Sequence, residues 1–202
     1  MSGITLFSRT SGVLPIRPVR SAQKAMPFAE AAAPEQIIPL LNDYAEAVIA
    51  AIDAAGGDVL KLIGDGVLAI FRAEERADAC RRAIEAAIRA REGVAALNRR
   101  RADEGAPTTH MYLGLHVGEV FFGNIGSESR LDFTVVGPAV NEVSRIAALC
   151  RAVDQTMLVS AAFAGALGQG GPALVSVGRY ALRGVSTPQE LFTLDPEQPE
   201  SP

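Results

Sequence analysis

Three polar positions in the sequence have the residue types and spacing to do chemistry. Asp65 lies between two glycines, so its carboxylate stands at a tight turn, where it could bind a hard cation or simply complete the turn. Asn141 and Arg145 are four residues apart in a helical segment, which puts both side chains on one helix face. A guanidinium there could stabilise charge that develops on a reacting group, or the pair could be an ordinary exposed one.

Two short apolar runs flank Asp65 and predict a β-hairpin. They are Val59–Ile63 and Val67–Phe71, joined by Gly-Asp-Gly. Ahead of them, apolar residues at three- and four-residue steps predict a helix that begins at Pro34 and ends at Gly56. An Ala- and Arg-rich composition predicts a second helix after the hairpin, from about Arg76 to Arg101. The carboxylate is therefore expected on a rigid turn between two helices.

The rest of the chain completes an α+β pattern. We expect a second hairpin from His110–Val117 and Val120–Phe122, a strand at Phe133–Val136 and a helix at Val140–Arg151. Shorter elements follow at Thr156–Val159, Ala161–Leu167, Ala173–Val177 and Glu190–Leu194. This order predicts a ferredoxin-like βαββαβ sandwich, an antiparallel sheet with helices packed on one face.

Composition narrows the class of protein. The chain has 202 residues, 49% of them hydrophobic, which suits one domain with a sizeable core. A net charge of −4 without a basic face argues against nucleic-acid binding. The two cysteines, Cys80 and Cys150, lie in helical segments and are expected to be buried thiols of a cytoplasmic protein. The sequence contains no apolar stretch of the roughly 18–20 residues that a membrane span needs.

Three motifs together resemble the class III adenylyl and guanylyl cyclases. They are Leu60–Phe71 around the Asp65 turn, Leu113–Gly126, and Phe133–Arg145, and the resemblance extends from about Pro34 to Leu194. It implies the class III cyclase fold and the conversion of ATP to 3′,5′-cyclic AMP and pyrophosphate. It also implies a head-to-tail dimer, a homodimer or a heterodimer with another cyclase chain, in which each active site takes residues from both subunits.

The resemblance assigns a metal site and a base site. Asp65 matches one of two carboxylates that hold two Mg²⁺ or Mn²⁺ ions, which bind oxygen ligands. Lys61 matches the residue that reads the purine, and Thr134 matches its partner. Adenine N1 accepts a hydrogen bond and suits a lysine, whereas guanine N1 carries a proton and calls for a carboxylate. ATP is therefore the expected substrate, although both residues could also be ordinary strand residues.

The resemblance also assigns the residues nearest the reacting phosphate. Asn141 matches the residue that orients the ribose, and Arg145 matches the arginine that stabilises the transition state. Arg183, in Leu-Arg-Gly, matches a basic position near the triphosphate, or is an ordinary arginine before a glycine. His110 and His116 are expected to be sheet residues rather than acid–base groups.

One part of the family pattern is missing at the start of the chain. The first metal carboxylate should lie in a Phe-x-Asp segment about 44 residues before Asp65, but that position is Ser21, and no Asp or Glu precedes Glu30. A serine cannot replace a bridging carboxylate. We therefore divide the chain into a divergent segment (1–29), a catalytic domain (30–195) and a disordered tail (196–202).

Two explanations for the missing carboxylate remain open from the sequence. The reading frame could be altered at its start, or the chain could be a catalytically degenerate cyclase homologue that acts as a nucleotide-binding or heterodimer regulatory module. A third possibility, a ferredoxin-like module of the RNA-recognition type, would need exposed sheet aromatics in basic surroundings. Phe121 and Phe122 in a chain of net negative charge do not supply them.

Overall fold

The computed structural model describes residues 2–10, 34–127 and 130–195, which form a seven-stranded sheet, a two-stranded arm and four α-helices. The helices are α1 (Pro34–Ala54), α2 (Arg76–Asp103), α3 (Pro138–Leu149) and α4 (Ala161–Leu167). The strands are β1 (Ser2–Thr10), β2 (Asp58–Ile63), β3 (Gly66–Phe71), β4 (Met111–Glu119), β5 (Phe121–Ser127), β6 (Arg130–Val136), β7 (Met157–Ser160), β8 (Leu174–Tyr180) and β9 (Gln189–Leu194).

The main sheet contains the predicted βαββαβ unit. Its strand order is β2-β3-β1-β4-β7-β9-β8, so β1 lies in the interior and pairs antiparallel with both β3 and β4. The first four strands with α1 and α2 give the ferredoxin-like arrangement, which confirms the expected fold class. The sheet continues beyond that unit through β7, which is parallel to β4, and then through β9 and β8.

Helices cover both faces of this sheet, so the expectation of helices on one face was wrong. Along β3, Val67, Ala69 and Phe71 join the core that α1, α2 and α4 cover. The alternate residues Leu68 and Ile70 pack instead with the apolar side of α3. Because side chains of a strand alternate between faces, β3 is buried along its whole length. The hairpin behind Asp65 is therefore fixed from two sides.

The predicted second hairpin was also wrong in its pairing. β4 continues through Gly118 and pairs with β1 and β7, while β5 pairs with β6 to form a separate arm. Gly118 is needed for close packing rather than for a turn, because a Cβ built on it would lie 2.6 Å from the Cβ of Ala139 in α3. The arm strands Phe121–Ser127 and Arg130–Val136 are longer than the predicted strands Val120–Phe122 and Phe133–Val136.

The opening strand lies earlier in the chain than the motif spacing suggested. β1 occupies Ser2–Thr10, whereas Ser21, where we expected the first carboxylate, lies outside the described residues. The boundary proposed at residues 29 and 30 stays a prediction, but β1 shares the main sheet with the rest of the domain.

Both cysteines are free and buried, as predicted. Burial raises the pKa of Cys80 to about 11, although Arg76 and Arg81 oppose it, and raises the pKa of Cys150 to about 12. Both thiols therefore stay protonated at neutral pH. Among the described helices, none is long and apolar enough to cross a membrane.

Candidate active site

An apolar cluster brings three of the predicted site segments together. Leu60 of β2, Val135 of β6 and Val140 of α3 pack in the same cluster, around Leu68, Ile70 and Val143. Lys61, Thr134 and Asn141 are the chain neighbours of those three residues. Lys61 is half-buried beside a register shift in β2, Thr134 lies opposite Gly123 in the arm, and Asn141 is exposed on α3. The cluster thus places the candidate base and ribose residues in one region.

A second contact brings together Arg145 and the segment that contains Arg183. Arg183 is exposed in the loop between β8 and β9, and Gly184 follows it with a φ of +72°. A Cβ built on Gly184 would lie 3.3 Å from Nη2 and 3.4 Å from Nη1 of Arg145. The guanidinium of α3 therefore rests against the backbone of this loop. The predicted transition-state arginine and the predicted triphosphate arginine thus belong to one neighbourhood.

Gly184 was missed as a site residue in the sequence. Its signal was present in the Leu-Arg-Gly segment, because a glycine after a candidate binding residue often marks a positive φ or a close approach. Here it marks both. The identity of the side chain that approaches it, however, depends on the packing of α3 against a loop about 40 residues later in the chain.

Asp65 stands at the turn of the β2–β3 hairpin, as predicted. It is half-buried, and Gly64 before it has a φ of +61°. Gly66 after it pairs with Arg9 of β1 in the main sheet. The strand that borders the Asp65 turn contains no acidic residue at all, since its sequence is SGITLFSRT.

The sequence model of the adenylate and guanylate cyclase catalytic domain matches residues 21–196. This chain belongs to that family. Cyclases of this family generally use divalent metals and act as dimers on nucleotide substrates.

Curated adenylate cyclases, and solved structures of both adenylyl and guanylyl cyclases, resemble the chain. An adenylate cyclase of Anabaena cylindrica is 36% identical over 137 residues, which cover 66% of this chain and 26% of the relative. The adenylyl cyclase CyaB of P. aeruginosa has the same fold, with a TM-score of 0.82 at 21% identity over 98% of this chain and 95% of that one. The guanylyl cyclase Cya2 gives a TM-score of 0.76 at 25% identity over 96% and 91%. The chain spans about a quarter of the length of the curated relatives.

The described residues do not fit the pair of metal ions that an intact cyclase site would hold. No group of three or more His, Cys, Asp or Glu side chains in the described ranges is placed to bind a metal. Within β1, the only phenylalanine is followed by Ser8 and Arg9 rather than by x-Asp, and Arg9 pairs with Gly66 next to the Asp65 turn. Two divalent cations need several oxygen ligands, and an arginine supplies none.

Proposed function

We propose that this chain is the ATP-directed half of a class III cyclase dimer that forms 3′,5′-cyclic AMP and pyrophosphate in the cytoplasm, and that its partner supplies the complete metal site. The observation that carries this proposal is the contact of Arg145 with the Arg183–Gly184 loop, on the same helix face as Asn141. This contact supports a single binding surface on which Arg145 and Arg183 would contact the phosphates and Asn141 the ribose. Because β1 has no carboxylate, we expect the homodimer to turn over very little ATP.

The proposed catalytic contribution of this chain is electrostatic. Arg145 would donate hydrogen bonds to the oxygens of the phosphoryl group as negative charge grows there, and Arg183 would bind the departing pyrophosphate. Asn141 would hold the ribose so that its 3′-hydroxyl faces the phosphorus. A guanidinium that is already seated against the loop needs little reorganisation at the moment of reaction.

The dimer is supported by apolar side chains left exposed near the candidate site. Leu62 and Ile63 of β2, and Phe121 and Val136 of the arm, are 44–58% exposed. Large exposed apolar side chains on neighbouring elements are typical of a surface that another protein covers. A second cyclase chain is the partner that the family relationship supports.

Base choice is the first test, and we expect ATP to bind in preference to GTP. Lys61 can donate to adenine N1, whereas guanine N1 is itself a donor. Lys61→Glu should therefore reduce the preference for ATP by about 1–3 kcal/mol, the usual effect of one mismatched polar contact. Competition of both nucleotides against a fluorescent analogue with Mn²⁺ measures this preference. Lys61→Gln is the matched control, because it removes the charge without supplying a carboxylate.

An equal or reversed preference in the wild-type chain would contradict the adenylyl assignment. If both Lys61→Glu and Lys61→Gln kept the wild-type preference for ATP, the preference would not depend on this side chain. In that case the base would be read elsewhere.

Turnover is best measured in a mixed dimer. The mixed dimer consists of this chain and a second cyclase chain. The second chain keeps both metal carboxylates but has lost its own equivalents of Asn141 and Arg145. Only the site that combines the partner's carboxylates with this chain's residues can then be active.

Gly184→Ala should lower turnover of the mixed dimer, because the new methyl group would push against the Arg145 guanidinium. The positive φ adds a backbone cost of about 1 kcal/mol to folding. Gly105→Ala is the matched control, since Gly105 has a φ of +67° and open space around its Cα. We expect similar losses of melting temperature in the two variants but a roughly tenfold lower kcat only for Gly184→Ala. If Gly184→Ala and Gly105→Ala had the same kcat in the mixed dimer, Gly184 would not be a residue of the active site.

A second function is favoured by the acid-free β1 strand. A chain that binds ATP but lacks a metal ligand could act as a regulatory subunit that stabilises an active partner without contributing to its chemistry. The mixed dimer separates the two functions, because only a catalytic contribution requires Asn141 and Arg145.

A further inference from the structure

A largely buried series of polar contacts connects α3 to β4, β7 and α4. His116 of β4 is 7% exposed and Ser160 at the end of β7 is 2% exposed. Nδ1 of His116 lies 3.0 Å from Oγ of Ser160, and Nε2 lies 3.3 Å from Oε2 of Glu142 on α3. The Ser160 hydroxyl in turn accepts a hydrogen bond from the backbone N–H of Phe163, at 3.2 Å, and so caps α4.

The partners fix the proton positions in this chain. A carboxylate can only accept, so Nε2 of His116 carries the ring proton and donates it to Glu142. Nδ1 then accepts from the Ser160 hydroxyl, whose oxygen at the same time accepts from the backbone N–H of Phe163. Burial lowers the pKa of His116, and the nearby Glu142 carboxylate opposes this with a smaller effect. The ring is therefore neutral near pH 7, and all its polar atoms are satisfied.

The order Ser–His–carboxylate does not make this a hydrolytic triad. A nucleophilic serine must reach a substrate carbonyl, and Ser160 is buried and committed to the cap of α4. A structural link between elements is the role that remains.

The link sits where α3 approaches β4 most closely. Gly114, His116 and Gly118 alternate along β4 and so share one face. A Cβ on Gly114 would lie 2.8 Å from the Val143 carbonyl oxygen, and one on Gly118 would lie 2.6 Å from the Cβ of Ala139. The two glycines let α3 lie almost on the strand backbone, and His116 is the only side chain between them on that face. Apolar contacts hold the helix against the strand but can slide, whereas one directed hydrogen bond fixes its axial position and rotation.

We infer that His116 is a positioning residue, which acts through Glu142 to set α3 so that Asn141 and Arg145 face the nucleotide. Glu142 follows Asn141 directly and precedes Arg145 by three residues, so it is well placed to control both. The inference rests on the proposed function for its effect on turnover. It predicts that the Nε2 contact matters for turnover and that the Nδ1 contact matters only for folding.

Glutamine and asparagine separate the two contacts. The side-chain amide nitrogen of Gln reaches about as far as Nε2 of His, and that of Asn about as far as Nδ1. In the mixed dimer, His116→Gln should keep kcat within about threefold of wild type, while His116→Asn and His116→Ala should lose about 10–100-fold. KM for ATP should change little, because the base contacts are made by other elements. Ser160→Ala should lower the melting temperature and leave kcat near wild type.

The result that would overturn the inference is an active wild-type mixed dimer in which His116→Asn is as active as His116→Gln. If the wild-type mixed dimer is itself inactive, the proposed function fails, and amide hydrogen exchange across residues 139–147 then decides the inference alone. We expect faster exchange in His116→Asn than in His116→Gln. Equal exchange rates would show that Nε2 does not hold α3.

Discussion

The mixed dimer should produce cyclic AMP from two chains that are each close to inactive alone. This chain lacks an acidic residue in β1, so its homodimer repeats one incomplete metal site twice. The partner chain, stripped of its Asn and Arg equivalents, lacks the groups that orient the ribose and stabilise the phosphoryl charge. Mixing the two leaves one site with a full set, made of the partner's carboxylates and Lys61, Thr134, Asn141 and Arg145 of this chain. We expect activity at least about 100-fold above either homodimer.

Arg145→Ala in this chain is the decisive control. A group that stabilises charge only in the transition state costs about 10²–10³-fold in kcat when it is removed, with little change in KM. Arg145→Lys should be almost as damaging, because an ammonium on a flexible stem cannot make two parallel hydrogen bonds from a fixed plane. Assembly must be checked by sedimentation for each variant, so that lost turnover is not confused with lost pairing.

Mixed dimers that form but remain inactive would contradict the catalytic proposal. The transition-state residues would then be present but wrongly placed, and the function as a regulatory subunit would replace the catalytic proposal. Activity that survives Arg145→Ala would have the same consequence.

The sequence predicted the elements of this fold better than their pairing. The Gly-Asp-Gly hairpin was recognised because its two strands are adjacent in the chain and a tight turn joins them. The same rule failed for β4 and β5, because Gly118 looks like a turn residue in the sequence but serves the close packing of α3. Local patterns show where a strand is, whereas the strand next to it is decided by the whole sheet.

In the candidate site, too, the sequence predicted features that depend on neighbouring residues but not contacts between distant segments. Asp65 is at its predicted turn, and Asn141 and Arg145 are on one helix, because those positions depend on local spacing. The contact of Arg145 with Gly184, and the bonds from His116 to Glu142 and Ser160, join segments about 26–44 residues apart. His116 lies in β4, as expected of a sheet residue, but nothing in the sequence pointed to its partners.

The opening strand was misplaced for a different reason. A spacing of about 44 residues assumes that the connection from β1 to the hairpin has the usual length, and here β1 ends at Thr10, well before Asp65. The alternation of Ile4 and Leu6 is typical of a strand, but β1 contains no acidic residue that would mark it as the metal-binding strand. Register in the sheet locates the strand where sequence spacing cannot.

That register leads to a prediction for repairing the metal site. Arg9 pairs with Gly66, the residue after Asp65, and the Cα atoms of antiparallel partners are about 4.5–5.5 Å apart. Position 9 of the backbone therefore lies within one residue of the Asp65 turn. Arg9 is also the third residue of Phe7-Ser8-Arg9, the position that Asp would occupy in a Phe-x-Asp pattern. Arg9→Asp would replace a cationic residue type by an oxygen ligand at that place.

We expect Arg9→Asp to bind Mn²⁺ at least about tenfold more tightly than the wild-type chain, since even outer ligands change metal affinity by about 10–100-fold. Titration calorimetry with Mn²⁺ measures this without any need for turnover. Arg9→Gln is the matched control, because it removes the cation but supplies no carboxylate, and Arg9→Asp combined with Asp65→Asn should lose the gain. If Arg9→Gln gained as much as Arg9→Asp, the effect would be relief of charge repulsion rather than ligation. If neither variant gained affinity, position 9 would not belong to the metal site, and the missing carboxylate would have to be sought elsewhere in the chain.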